Sequence, residues 1–192
     1  MRSKLKVLMA VGCFLFLAGC GAEYEEADPT VSGRLTMHSD GHVDAHVCGE
    51  FSKDYYSESE LVQMVTEEIG AYNGKISLTG HNSGNGEVSL DLSFADCDSY
   101  EDYMTLKLFN GTVQGAYDKG YDFNRVLKRA GNPDDIISKE QLNNMADSHM
   151  IIFEGAQTCV CPAKIDYYSQ ELKLIDSNTV QSVEDGIYYI IY

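Results

Sequence analysis

Proline is scarce in this chain, at three of 192 residues, and no Gly-x-y period runs through it. Both facts exclude proline-rich and collagen-like architecture. Basic residues are scarce too: 14 Lys and Arg stand against 30 Asp and Glu, a net charge of −16. A surface so acidic repels phosphate, so no nucleic-acid partner is expected. The sequence also lacks a G-x-S-x-G elbow, an H-E-x-x-H helix and a P-loop. Without those signatures of hydrolases and nucleotide binders, nothing local argues for an enzyme. No stretch approaches twenty apolar residues, the length of a membrane-spanning helix. What remains is 44 % apolar and 23 % charged, the balance of an ordinary folded domain.

The first twenty residues form a graded leader. Arg2, Lys4 and Lys6 make a positive head, Val7 to Ala18 is a twelve-residue apolar run, and Leu17-Ala18-Gly19-Cys20 closes it. As a helix that run reaches about 18 Å. The hydrocarbon core is about 30 Å thick, so the run reads as a secretory signal and not as a span. The closing tetrapeptide resembles the lipobox of bacterial lipoproteins, in which the cysteine thiol is diacylated and a peptidase cuts before it. The resemblance implies a signal peptide over residues 1–19 and lipidation at Cys20. Residues 20–29, with Glu23, Glu25, Glu26 and Asp28, then read as an acidic tether. One acyl chain binds marginally, whereas two hold stably, since each buried methylene contributes about 0.8 kcal/mol. The expected location is the extracytoplasmic face of the cell membrane.

Residues 30–192 read as one α+β domain. Its expected parts are antiparallel β-hairpins, one main helix, several short helices and a β-rich C-terminal half. Thr30–His38 and His42–Phe51 flank Ser39-Asp40-Gly41, a hairpin signal. That loop sets His38 opposite His42, Leu35 opposite Ala45 and Met37 opposite Val43, with one face apolar and the other polar. Ser57 and Glu60 form a capping box for the main helix, whose Leu61, Val62, Val65, Ile69 and Tyr72 recur at helical spacing up to Asn73-Gly74. Lys75–Thr79 and Glu87–Phe94 read as a second hairpin around a flexible Gly80–Gly86 loop. Asp98 or Ser99 is expected to cap a short helix. Further short helices are expected around 113–118, 123–130 and 139–146, with Asn132-Pro133 as a breaker. From His149 onward the pattern is β. The closing Ile187–Tyr192 run is an aggregation hazard if exposed, which predicts pairing inside a sheet.

Several landmarks resemble a set of lipobox lipoproteins of Gram-positive gut anaerobes, for which no activity is established. They are Cys20 with its acidic tether, the Phe51–Leu61 segment that opens a helix, and Ile69-Gly-Ala-Tyr-Asn73 at its end. Phe109-Asn-Gly-Thr-Val113, Gly120-Tyr-Asp-Phe123 and the closing Tyr189-Ile-Ile-Tyr192 continue the likeness. The resemblance implies location and little about chemistry.

Candidate sites are few. His42, Asp44, His46 and Cys48 share the outer face of the first hairpin, with His38 across from His42. Facing imidazoles can share Zn2+ or Cu at about 2 Å. No C-x2-C pair and no H-x3-H pair on a helix supports a dedicated site, whose ligands must also be oriented by further hydrogen bonds. Arg34 on the same face repels a cation. The face is therefore expected to be polar surface, with His38, His42 and His46 as the metal-ligand candidates and no cofactor. Cys159 and Cys161 share a strand face, and with Cys48 and Cys97 they are expected to be reduced, small apolar residues. Four extracytoplasmic cysteines also allow three disulfide pairings. The Asp96–Asp102 carboxylates have calcium-like spacing without the required glycine, so a helix cap is expected there.

Thirteen tyrosines and the anchor favour a non-catalytic binding or accessory module, with the membrane and an envelope protein or ligand as partners. The alternatives are a divalent-cation sensor or scavenger on the histidine hairpin and a cell-wall hydrolase of unrecognised type.

Overall fold

A computed structural model describes residues 24–53 and 56–192; the leader and Cys20 lie outside them. Strands β1 (Arg34–Met37) and β2 (Val43–Glu50), helix α1 (Glu58–Gly70), and strands β3 (Ile76–Gly84) and β4 (Glu87–Phe94) come first. Helix α2 (Cys97–Met104), strand β5 (Leu108–Thr112) and helix α3 (Val113–Asp118) lead to β6 (Leu127–Arg129), β7 (Asn132–Ile137) and α4 (Lys139–Asn143). The remainder is β8 (His149–Glu154), β9 (Thr158–Val160), β10 (Tyr167–Ser169), β11 (Lys173–Asp176), β12 (Thr179–Gln181) and β13 (Ile187–Ile191). The mixture of hairpins, few helices and a strand-rich C-terminal region is α+β. No helix among the described residues is long and apolar enough to cross a membrane.

The strands form two sheets. A seven-stranded sheet has the order β11-β12-β9-β1-β2-β4-β3, and a six-stranded one β5-β8-β13-β10-β6-β7. Neighbours are antiparallel, apart from the parallel pair β1 and β9. Leu35, Met37, Val43, Ala45, Leu92 and Phe94 line the inner face of the seven-stranded sheet. They belong to one core with Leu108, Ile151, Phe153, Tyr188 and Ile190 of the six-stranded sheet. On the far side of that second sheet, Phe109, Met150, Ile152, Tyr189 and Ile191 join Val113 and Ala116 of α3 and Leu142 of α4. Alternate residues of β8 and β13 thus enter different cores. A sheet covered on both faces explains their uninterrupted apolar runs. The closing strand lies between β8 and β10, paired on both edges as its composition required.

The first hairpin has the expected register, with Leu35 opposite Ala45 and Met37 opposite Val43. Ser57 caps α1, its Oγ accepting the Glu60 N–H at 3.4 Å. Four expectations are corrected. The Gly80–Gly86 loop is mostly strand: β3 runs to Gly84 and reverses at Asn85-Gly86, with φ of 55° and 81°. Asn-Gly tolerates those positive angles and matches the twist of a two-residue hairpin. The helix expected around 123–130 is instead β6, which reverses at Gly131 (φ 84°) into β7. Pro133 lies in that strand because β7 is a sheet edge, where a missing N–H leaves no partner unbonded. Strand β5 was hidden by its Asn-Gly, residues poor in strand propensity. Asp96, and neither Asp98 nor Ser99, caps α2: its Oδ1 accepts the Ser99 N–H at 2.7 Å, and Ser99 Oγ accepts the Asp96 N–H at 3.3 Å.

The acidic segment is held against the domain from Glu25 onward. The Glu25 N–H donates to the Leu174 carbonyl at 2.7 Å and the Asp28 N–H to Gln181 Oε1 at 2.6 Å. The Gln181 side-chain amide returns a bond to the Asp28 carbonyl at 3.2 Å.

The two faces of the first hairpin have unequal energetic weight. Leu35 is fully buried, so Leu35→Ala is expected to cost about 3 kcal/mol. His46→Ala, which removes an exposed ion pair, is expected to cost under about 1 kcal/mol. Urea denaturation of both variants checks the ordering, and equal costs would refute it.

Candidate functional site

The solvent face of the seven-stranded sheet carries a row of histidine–carboxylate pairs. Two-residue alternation puts Arg34, Thr36, Asp44, His46 and Asp91 there, because their neighbours Leu35, Ala45 and Leu92 go to the core. At the hairpin end, the His38 N–H donates to the His42 carbonyl at 3.1 Å. Their rings stack at 3.7 Å between centroids and 10° between planes. His38 Nε2 lies 2.8 Å from Asp44 Oδ2, and His42 Nδ1 lies 2.5 Å from Asp40 Oδ1. His42 Nε2 faces the same Asp44 oxygen from 4.0 Å.

His46 is not part of this group. Its Nδ1 lies 2.6 Å from Asp91 Oδ1 on β4. Gly80 makes room for that carboxylate, since a Cβ there would stand 2.7 Å from Asp91 Oδ2. Cys48 Sγ is directed to the Ser32 carbonyl at 3.9 Å and is not among the converging donors. Of the residues singled out in the sequence, His38, His42 and Asp44 therefore converge, and His46 and Cys48 do not. Asp40 and Asp91 are partners that sequence reading missed. Asp40 reads locally as a turn residue alone, and Asp91 belongs to a strand whose register against β2 no local pattern reveals.

Hydrogen bonding holds these carboxyls down. Asp40 is lowered chiefly by its bond from His42. Burial pushes Asp44 up, but the Ser93 hydroxyl, His38 and His42 outweigh it, and the net shift is downward. At the other end of the sheet, Glu58 at the start of α1 accepts from the Ser83 hydroxyl and pairs with His81 Nδ1 at 2.7 Å. Both partners lower its pKa, the serine most.

A second concavity, of about 550 Å³, lies against the six-stranded sheet. Tyr121 and Tyr189 line it with Lys107, Lys119, Arg125 and Glu101. Glu101 Oε1 accepts the Leu108 N–H at 3.0 Å and the Tyr121 hydroxyl at 3.4 Å, with Lys107 Nζ at 3.9 Å. Burial, reinforced by the Glu101 charge, pushes Tyr121 up to about 12, so its hydroxyl keeps the proton it donates. Lys119 and Arg125 also have acidic neighbours, Asp98 at 3.2 Å and Glu171 at 2.9 Å.

The four described cysteines are free thiols, and Cys159 and Cys161 are buried in the core. A hydrogen bond with Cys159, together with burial, raises the Cys161 pKa, and burial pushes Cys97 up to about 12. Thiols kept protonated in this way are poor nucleophiles. In the Asp96–Asp102 segment, Asp96 is spent on its helix cap and Asp98 on Lys119. Comparison with known proteins finds no matching family model, curated protein or solved structure.

The Glu58 cluster makes a pH-dependent tie between α1 and β3. A carboxyl whose folded pKa lies below its ordinary value, about 4.3 for glutamate, stabilises the fold above that value. The contribution is lost as pH falls through the depressed folded pKa. Ser83→Ala is expected to move the Glu58 midpoint upward in an NMR titration. It should also lower stability at neutral pH by more than in acid, where Glu58 is protonated in both proteins. An unmoved midpoint would show that the serine does not hold Glu58 ionised.

Proposed function

We propose that this chain is a lipid-anchored binding or accessory protein of a bacterial cell envelope, held at the extracytoplasmic face of the membrane through Cys20. The observation that carries the reading is the order of the leader: positive head, twelve-residue apolar run, small residues, then Cys20. The likeness to lipobox lipoproteins of Gram-positive anaerobes supports the same location. Cys20 stands five residues before Glu25, which is bonded to the Leu174 carbonyl. Five extended residues reach about 17 Å, so anchoring at Cys20 keeps the β11 edge close to the lipid surface.

Binding in place of catalysis is supported by how the concavity uses its groups. Its volume of about 550 Å³ falls in the range of ligand pockets. The tyrosine rings offer apolar faces with polar tips. Its central carboxylate, Glu101, is engaged by a backbone N–H and a tyrosine hydroxyl, which makes it a structural fastening.

The anchor is tested by Cys20→Ala. The wild-type protein is expected in the membrane fraction, partitioning into detergent with a diacylated N-terminus by mass spectrometry. The variant should keep its leader mass and carry no acyl group. Identical partitioning of both proteins, with no acyl mass on the wild type, refutes the anchored reading.

A further inference from the structure

We propose that His38, His42 and Asp44 form a binding site for a divalent cation of the zinc class, with Asp40 positioning His42. One donor atom from each of the three lies within 4.8 Å of the other two. The bond to Asp40 Oδ1 at 2.5 Å takes the Nδ1–H of His42. That fixes the tautomer whose Nε2 carries a free lone pair, and this nitrogen faces Asp44 Oδ2 across 4.0 Å. The gap is too long for a hydrogen bond. Donors about 2 Å from one tetrahedral ion stand about 3.3 Å apart, and each imidazole holds the ion in its ring plane. The stacked rings must therefore turn apart as the ion enters, and this nitrogen must close on Asp44. His38 Nε2 already touches the same oxygen at 2.8 Å. A cation entering there replaces one hydrogen bond, and neutral His38 carries its proton on Nδ1 instead.

Further observations favour a cation at this place. A carboxylate holding the far nitrogen of a ligand imidazole is the arrangement that orients metal-bound histidine and raises its basicity. The hairpin beneath is rigid, because Leu35, Met37, Val43 and Ala45 are clamped in the core on its other side. Two nitrogens and one carboxylate oxygen suit Zn2+, Cu2+ or Ni2+ and not Mg2+ or Ca2+, which prefer oxygen alone. Three protein donors leave one tetrahedral position for water. Arg34, expected to repel a cation, stands opposite His46 and four residues from His38. That is about 13 Å along the strand from His38, but Arg34 is only about 7 Å from Asp44, its diagonal neighbour on the same face. There the carboxylates of Asp40 and Asp44 set two negative charges against its one positive charge. The net charge of −16 draws cations to the surface as a whole. The site is independent of whether Cys20 is lipidated.

The test is calorimetric titration of the full-length protein in detergent with Zn2+. One ion per chain is expected, with micromolar or tighter affinity. His42→Ala and Asp44→Ala should each weaken binding at least about tenfold, and Asp40→Asn about 10–100-fold through loss of orientation. His46→Ala and His81→Ala should leave it unchanged. Circular dichroism melting separates lost binding from lost folding. A measurement on the unaltered protein stands beside the variants: Zn2+ should shift the ring nitrogens of His38 and His42 in 15N spectra and leave those of His46 and His81 in place. Millimolar or absent binding overturns the proposal. So does a site that survives His42→Ala, or one whose spectral shifts fall on His46 or His81.

Discussion

The six-stranded sheet must be covered on both faces, and the rest of the molecule is arranged around that demand. Met150, Ile151, Ile152 and Phe153 are all buried, and so are Tyr188 through Ile191. Consecutive side chains on a strand point to opposite sides, so no single partner layer can take such runs out of water. At about 25 cal/mol per Å² of apolar surface, leaving either face bare would forfeit a large part of a marginal stability. Helices α3 and α4 cover one face, and the seven-stranded sheet covers the other.

That division frees the outer face of the seven-stranded sheet. It has one apolar side to bury, and Leu35, Met37, Val43, Ala45, Leu92 and Phe94 satisfy it. The opposite side answers only to water, so it can carry histidines and carboxylates at little cost in folding. Surface ion pairs contribute little to stability. The pairing of His38, His42 and His46 with Asp44, Asp40 and Asp91 therefore matters less for holding the fold than for where it places nitrogen and oxygen donors.

Beginning and end of the chain are joined by a small polar network. Strand β1 lies parallel to β9, with Leu35 opposite Cys159. Beside it the Ser182 hydroxyl accepts the Gln157 N–H at 3.0 Å and donates to the Gly155 carbonyl at 2.6 Å. Gln181 holds both sides of the Asp28 peptide group. Buried polar groups satisfied in this way specify one arrangement, because any other leaves them unpaired at a cost of about 1–3 kcal/mol each. The network fixes where Asp28 lies against the domain.

Local chemistry by itself determined the elements whose signals lie close in the chain. The Asp40-Gly41 turn and the alternation on either side set the register of the first hairpin. Ser57 and the periodic Leu61, Val65 and Ile69 set α1. The composition of Ile187–Tyr192 demanded an interior strand. The Asn85-Gly86 turn is a local signal too, but Gly80 and Gly84 before it have low strand propensity and mimic a longer loop. Tertiary structure alone decided what depends on partners distant in sequence. Leu127–Arg129 has no strand periodicity of its own and is held as β6 by pairing with β10. Asp91 reaches His46 across 45 residues of chain. The grouping of His38 and His42 followed from the hairpin, whereas the separation of His46 from them required the β2–β4 register. A strand pattern states which face a residue occupies, and only the neighbouring strand states what it meets there.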